Sequence, residues 1–170
     1  MHTKMTALTA KATDRILFGA LYIAVGVITL WAGFRLANVG LEMGFVNDYL
    51  QRWEVAIRFY AAHQGQWPVF EGNNHVDYME TLTRRMRRSN AHPPDSNTPV
   101  AYRYRIERFG GETEDIFILC LNDRIILFGI SEKTLNRLDK MLDRQPDLGG
   151  GRLVGRPGKN QTTYIGQWRL

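Results

Sequence analysis

The fold is decided by an uncharged apolar run near the N-terminus, Ile16-Leu-Phe-Gly-Ala-Leu-Tyr-Ile-Ala-Val-Gly-Val-Ile-Thr-Leu-Trp-Ala-Gly-Phe34. As an α-helix, a run of this length can cross the hydrocarbon core of a bilayer. A secretory cleavage site is not expected at its end, because Trp31 or Arg35 would stand where a small residue is required. We therefore expect an uncleaved membrane anchor, with Asp14 as the N-cap of its helix.

The helical pattern continues beyond the anchor, since no proline occurs between the apolar run and Pro68. From Phe45 to Ala61, apolar residues recur every three or four positions and polar residues occupy the opposite face. This pattern predicts a helix with one face in a core, and Gly65 is its expected C-terminal cap. Four residues of this segment are expected in the core: Trp53, Ile57, Tyr60 and Trp67.

Small residues form a stripe along the predicted membrane helix. Glycines recur at every seventh position, which returns to nearly the same helix face, and further small residues extend the stripe at spacings of four. Small residues on one face allow membrane helices to approach closely, although glycine is also common in such helices in general. The stripe consists of Gly19, Gly26, Gly33, Ala37, Gly40 and Gly44, and it predicts oligomerisation through the N-terminal helix.

A second, shorter helix is expected from His75, with Asn74 as its cap, and it ends in a basic cluster. The cluster comprises Arg84, Arg85, Arg87 and Arg88. Basic residues in a last helical turn favourably oppose the helix dipole, which explains much of this pattern. A contact with phosphate or a lipid headgroup is the alternative interpretation, and a DNA-contacting patch is a weaker one.

After a proline-rich loop the hydrophobic period changes from the helical value to two. Residues 100–107, 115–121 and 124–130 predict a three-stranded antiparallel meander, followed by a short helix that Ser131 caps. Residues 164–170 are a further candidate strand in an otherwise irregular tail. The expected fold is α+β: a long N-terminal helix, half in the membrane and half amphipathic, packed on a small antiparallel sheet.

Three regions follow from this pattern. Residues 1–13 are expected to be a disordered cytoplasmic tail, 14–40 the transmembrane half of the helix, and 41–170 a headpiece that includes the amphipathic half of the helix. Three basic residues precede the apolar run and two follow it closely, which weakly favours a cytoplasmic N-terminus. The net charge of +5 selects no class of partner.

The sequence shows no recognisable catalytic or cofactor motif. The four histidines are scattered, and the single cysteine, Cys120, lies in an apolar strand and is expected to be a buried thiol. Asp139, Asp143 and Asp147 form a weak calcium candidate near a glycine-rich loop, but solvated helix charges explain them better. We expect no enzyme activity, no cofactor and no metal site, and we consider nucleic acid an improbable partner.

The order of these parts resembles type IV pilins and the pseudopilins of type II secretion. The segment Trp53-Glu-Val-Ala-Ile-Arg-Phe-Tyr-Ala-Ala-His-Gln-Gly-Gln-Trp-Pro68 is similar to the helix exit of that family. Leu138-Asp-Lys-Met-Leu-Asp143, followed by residues 149–154, also looks like the family's late region. The resemblance covers most of the chain from about residue 16. The family's prepilin cleavage motif is absent, since cutting after Gly19 would place Ala24 where the family has a glutamate.

The resemblance implies a noncatalytic, single-pass subunit or accessory of a type IV pilus or type II secretion system, in the bacterial inner membrane with a periplasmic C-terminal domain. Its implied partners are the lipid bilayer, other pilin-like subunits and inner-membrane components of the machine. The absent cleavage motif favours an alternative, a permanently anchored periplasmic binding, sensing or scaffold module that enters no filament.

Overall fold

The computed structural model describes residues 3–142, 151–159 and 162–170 of this α+β protein. Four α-helices, one π-helix and five strands follow in the order α1 (Thr3–Gly44), π1 (Phe45–Leu50), α2 (Gln51–Ala62), α3 (His75–Arg88), β1 (Arg103–Ile106), β2 (Glu114–Cys120), β3 (Arg124–Ile130), α4 (Glu132–Leu142), β4 (Leu153–Pro157) and β5 (Tyr164–Arg169). By contacts the chain divides into two compact units, Met1–Val39 and Gly40–Leu170.

Helix α1 begins at Thr3, so the prediction that Asp14 caps its start, after a disordered tail, was wrong. The preceding residues contain neither glycine nor proline and include several alanines and lysines, which are good helix formers. A polar composition alone therefore did not interrupt the helix.

The predicted one-sided helix of the second unit begins with a π-helix. Segment π1 follows Gly44 directly, and its buried residues are Phe45, Val46, Tyr49 and Leu50. In α2 the buried residues are Trp53, Ala56, Ile57 and Tyr60. A π-helix shifts the register of the hydrogen bonds without ending the helix, and such segments are frequent at functional positions.

All described strand pairs are antiparallel, in the order β1-β2-β3-β5-β4. The sequence predicted the first three strands and the last, but it assigned no strand to Leu153–Pro157. A bulge interrupts the pairing of β3 with β5 at Gly129, whose φ is +83°. A side chain there would also lie 2.9 Å from the Asp115 carbonyl oxygen.

Helical segments cover one face of the sheet. The rings of Phe45 and Tyr49 lie 4.9 and 4.8 Å from the ring of Tyr104 on β1. On the same face α4 packs so closely that a Cβ added to Gly166 would lie 3.0 Å from Leu135. At the end of β2 the Cys120 backbone N–H donates to the sulfur of Met79 on α3, at 3.2 Å. The headpiece core is therefore formed between the sheet and π1, α3 and α4.

Helix α2 ends in a Schellman motif that differs from the predicted cap. Gly65 N–H donates to the Tyr60 carbonyl and Gln64 N–H to the Ala61 carbonyl, and Gln64 has the positive φ of 54°. Gly65 is needed for a different reason: a Cβ there would lie 2.4 Å from the Tyr60 ring. The same ring donates its hydroxyl hydrogen to the Gln66 carbonyl, at 2.8 Å.

We expect Gly65→Ala to lower the free energy of unfolding by about 1–3 kcal/mol, because the added methyl group displaces a buried aromatic ring. The matched control is Gly44→Ala, where the nearest atom would be 3.8 Å away and the helical backbone favours alanine. Urea unfolding of the full-length protein in neutral detergent, followed by tryptophan fluorescence, measures both. Equal stability of the Gly65 variant and the wild type would contradict the packing described here.

Candidate functional site

The N-terminal unit carries the first candidate surface. The helical stretch Ala12–Ala62 contains a window of mean hydropathy 2.1 that is long and apolar enough to cross a membrane, and none of that window is buried. Large apolar side chains are exposed along it, for example Ile16 at 73% and Phe34 at 50%. The hydroxyl of Thr29 donates to the Val25 carbonyl, at 2.8 Å, so this polar group has a partner within the helix, as a lipid environment would require.

The predicted small-residue stripe has an open face over most of its length. A Cβ added to Gly19, Gly26, Gly33 or Gly40 would meet no atom within 4 Å. Ala37 and Gly44 are half-buried. The four open glycines therefore present bare backbone, which another helix can approach closely.

At the other end of the apolar run, the guanidinium of Arg35 lies 4.5 Å from the ring centroid of Trp31. This cation–π contact keeps a charge beside an amphipathic aromatic ring, a combination typical of the interface between lipid and water.

The residues predicted for the headpiece core lie around the end of α2. Trp53, Ile57 and Tyr60 are buried, whereas Trp67 is half-buried with its ring centroid 5.6 Å from that of Tyr60. Arg85 donates to the Gln66 carbonyl at 2.7 Å, which connects α3 to the same turn. These contacts describe a packed corner of the headpiece, where α2, the turn after it and α3 meet.

A buried charged cluster, centred on Glu42, is the feature that sequence reasoning missed. Glu42 is 0% exposed, and its Oε1 accepts hydrogen bonds from Arg108 Nη2 at 3.1 Å and Arg137 Nη1 at 2.6 Å. Its Oε2 is buried without a hydrogen-bond partner among the described residues. Glu42 precedes Phe45, Val46 and Tyr49 by three, four and seven positions, so the helical period could have placed it on the buried face.

Glu114 on β2 extends the cluster to a second carboxylate. Its Oε1 accepts from Arg108 Nη1 at 2.5 Å, Ser131 Oγ at 2.6 Å and Thr134 Oγ1 at 2.8 Å. Arg108 also donates to Thr134 Oγ1. Arg108 therefore joins two carboxylates, one at the end of α1 and one on the sheet, beside the first turn of α4.

The hydrogen bonds of Glu114 determine its acidity. Burial alone would raise the pKa of this carboxyl, but the bonds from Ser131, Arg108 and Thr134 outweigh burial and lower the pKa below its ordinary value of 4.5. Ser131 also caps α4, since Thr134 N–H donates to its Oγ at 3.2 Å. The cluster is thus satisfied chiefly by contacts within the protein, which fits a structural role.

The predicted basic patch separates into two parts. Arg85 is half-buried and turned to the Gln66 carbonyl, whereas Arg84, Arg87 and Arg88 are exposed. Arg87 pairs with Asp95 at 3.1 Å, and Asp95 itself is 89% exposed. Three of the four predicted arginines therefore share one accessible surface.

The calcium candidate is only partly covered by the structure. Asp139 is buried in α4, and Asp143 and Asp147 lie outside the described residues. Within the described ranges, no group of three or more His, Cys, Asp or Glu side chains is arranged to hold a metal ion. Cys120 is fully buried, and burial raises the pKa of its thiol.

No family model, no curated protein and no solved structure matches this chain.

Replacing Glu42 by Gln should lower the free energy of unfolding by about 3 kcal/mol, because two arginines lose a buried counter-charge. Glu54→Gln is the control: its carboxylate pairs with two exposed arginines, Arg58 and Arg152, so the loss should stay below about 1 kcal/mol. Urea unfolding of the full-length protein gives both values. Equal losses of unfolding free energy in the two variants would show that the buried cluster stabilises the fold no more than a surface ion pair does.

We expect acid to lower the stability of the headpiece, because Glu114 becomes protonated and its ion pair is lost. A lowered pKa in the folded state stabilises the fold above the ordinary value of 4.5, and this stabilisation is lost as the pH falls through the folded-state pKa. Unfolding free energies measured between pH 7 and pH 3 should therefore fall below about pH 4.5. In the Glu114→Gln variant the unfolding free energy should fall less steeply with decreasing pH over that window. A slope equal to that of the wild type would contradict the role of Glu114 in the acid response.

Proposed function

We propose that this chain is a noncatalytic, membrane-anchored subunit or accessory of a pilin-like assembly, such as a type IV pilus or a type II secretion system. The observation that carries the proposal is the exposed apolar helix of the first unit, whose large side chains find no cover in the described chain. A helix of this kind needs lipid or other helices around it. The second unit has its own closed core and supplies the headpiece.

The bilayer is the first partner in this proposal. The apolar window crosses the bacterial inner membrane once, Trp31 and Arg35 lie at the interface, and the headpiece of residues 41–170 lies in the periplasm. Other pilin-like subunits, or inner-membrane components of the same machine, are the second partner. They pack against the open glycine face by close backbone approach.

The pilin-like assignment rests on the sequence resemblance at Trp53–Pro68 and on a fold of matching composition, a long N-terminal helix with an antiparallel sheet. The headpiece offers packing rather than chemistry: its strongest polar cluster is closed by internal ion pairs around Glu42. A structural subunit without catalysis is therefore the function we favour.

Association through the glycine face has a direct test. Gly26→Cys should form a disulfide-linked dimer under mild oxidation in native membranes, because the open face brings two helices together. Ile28→Cys, two residues further and on the opposite face of the helix, should dimerise much less. The native Cys120 does not interfere, since it is 0% exposed.

The yield of dimer on a non-reducing gel is the readout. Strong cross-linking at position 26 with little at position 28 supports assembly through the stripe. Equal yields at the two positions, or none at either, would contradict it.

The alternative is a permanently anchored binding, sensing or scaffold module, and the absent cleavage motif favours it. The intact mass of the protein from its native membranes separates the two. A shortened chain with a methylated new N-terminus supports filament entry, whereas the full mass from Met1 supports the permanent anchor.

A further inference from the structure

A cleft in the headpiece collects the three exposed arginines of the basic patch. It lies between the C-terminal half of α3 and the residue that precedes β1, and its volume is about 530 Å³. Its walls are Glu80, Thr83, Arg84, Arg87, Arg88 and Tyr102. Because positions 84, 87 and 88 are neighbours on one helix face, their guanidinium groups converge on one space.

The charges of these arginines are mostly uncompensated within the described chain. Neither Arg84 nor Arg88 has a carboxylate oxygen within 4 Å among the described residues, and Arg87 has only the exposed Asp95. Elsewhere in the headpiece Arg105, Arg108, Arg124 and Arg137 each pair with a carboxylate. The cleft therefore carries surplus positive charge, although Glu80 reduces it.

The wall opposite the arginines is held in place. Tyr102 adopts a positive φ of 61°, a costly conformation for a large residue, and its ring stands edge-on to the buried Trp53 at 6.4 Å. A second cavity of about 290 Å³ continues beyond Tyr102 and shares Thr83 and Arg87 with the first.

The loop that borders this second cavity is fixed by Asn97. The Asn97 amide accepts from Arg105 N–H at 2.7 Å and donates to the Arg105 carbonyl at 2.8 Å. Beside these walls, the buried Thr83 hydroxyl lies next to the hydroxyl of Tyr102.

We propose that this cleft binds a phosphate group, held by Arg84, Arg87 and Arg88. A phosphate monoester presents several terminal oxygens and about two negative charges, so it can occupy three guanidinium forks at once, whereas a carboxylate has only two oxygens. A small soluble phosphate monoester and the monoester headgroup of phosphatidic acid share this chemistry. The cleft shares no residue with the glycine face. A failure of phosphate binding would therefore leave assembly through the helix untouched, and the reverse is also true.

Calorimetric titration of pyrophosphate into the full-length protein tests the site. The protein is held in nanodiscs of phosphatidylcholine, at constant ionic strength. We expect saturable binding with one site per chain. The double variant Arg84→Gln/Arg88→Gln should weaken binding about tenfold or more, and the Arg→Lys pair at the same positions should bind with intermediate strength. The control Arg156→Gln/Arg169→Gln removes the same charge from exposed positions and should bind as the wild type does.

A second set of nanodiscs, containing one third phosphatidic acid, distinguishes the two sources of the phosphate. Loss of pyrophosphate binding by the wild type in these discs identifies a lipid headgroup as the ligand, and unchanged binding identifies a soluble ester. Both results support the site.

Three results would overturn the site: no saturable binding, equal weakening by the control pair, or binding of duplex DNA without any binding of pyrophosphate. The last would indicate an extended nucleic-acid surface instead. Circular dichroism melting curves that superimpose for all variants exclude unfolding as the cause of lost binding.

Discussion

The headpiece depends on a carboxylate that is completely buried. Glu42 has 0% exposure and two arginine partners, one from the segment after β1 and one from α4. Removing a carboxylate from water is costly, and only close counter-charges compensate for that cost. The last residues of α1 are therefore tied to two elements that lie far away in the sequence. Arg108 also pairs with Glu114, so the sheet, α4 and the end of α1 share one network of charges. This network also gives the headpiece a pH-dependent contribution, because Glu114 is more acidic than an ordinary glutamate.

Side-chain periodicity made most of the architecture predictable. The apolar face from Phe45 to Tyr60, the alternation before Ile106 and the apolar strands up to Ile130 are local patterns, and each corresponds to an element of the structure. The arginines of α3 were also visible as a cluster, because residues three and four apart share a helix face. Their separation into one structural arginine, Arg85, and three accessible ones depends on a contact with Gln66 that no local pattern encodes.

The parts that escaped prediction depend on contacts between distant residues. Arg108 and Arg137 are 66 and 95 positions from Glu42, so the ion pairs become visible only when the fold is known. The π-helix at Phe45–Leu50 and the positive φ of Gln64 were also not predicted, since the composition of neither segment favours its conformation. Strand β4 contains a glycine and a proline and gains its order by pairing with β5. Local propensity is weak in each case, and tertiary contacts decide the conformation.

The proposed function requires the N-terminal helix to cross a membrane and the headpiece to lie on the outer side of that membrane. Protease added to spheroplasts of the native cells tests this directly, with an antibody against the C-terminus as the probe and alkaline extraction of the membranes as a check on anchoring. We expect the chain to remain in the extracted membrane pellet and the C-terminal epitope to be lost when protease is added outside. Release of the chain by alkali, or protection of the epitope until the spheroplasts are lysed, would contradict the account.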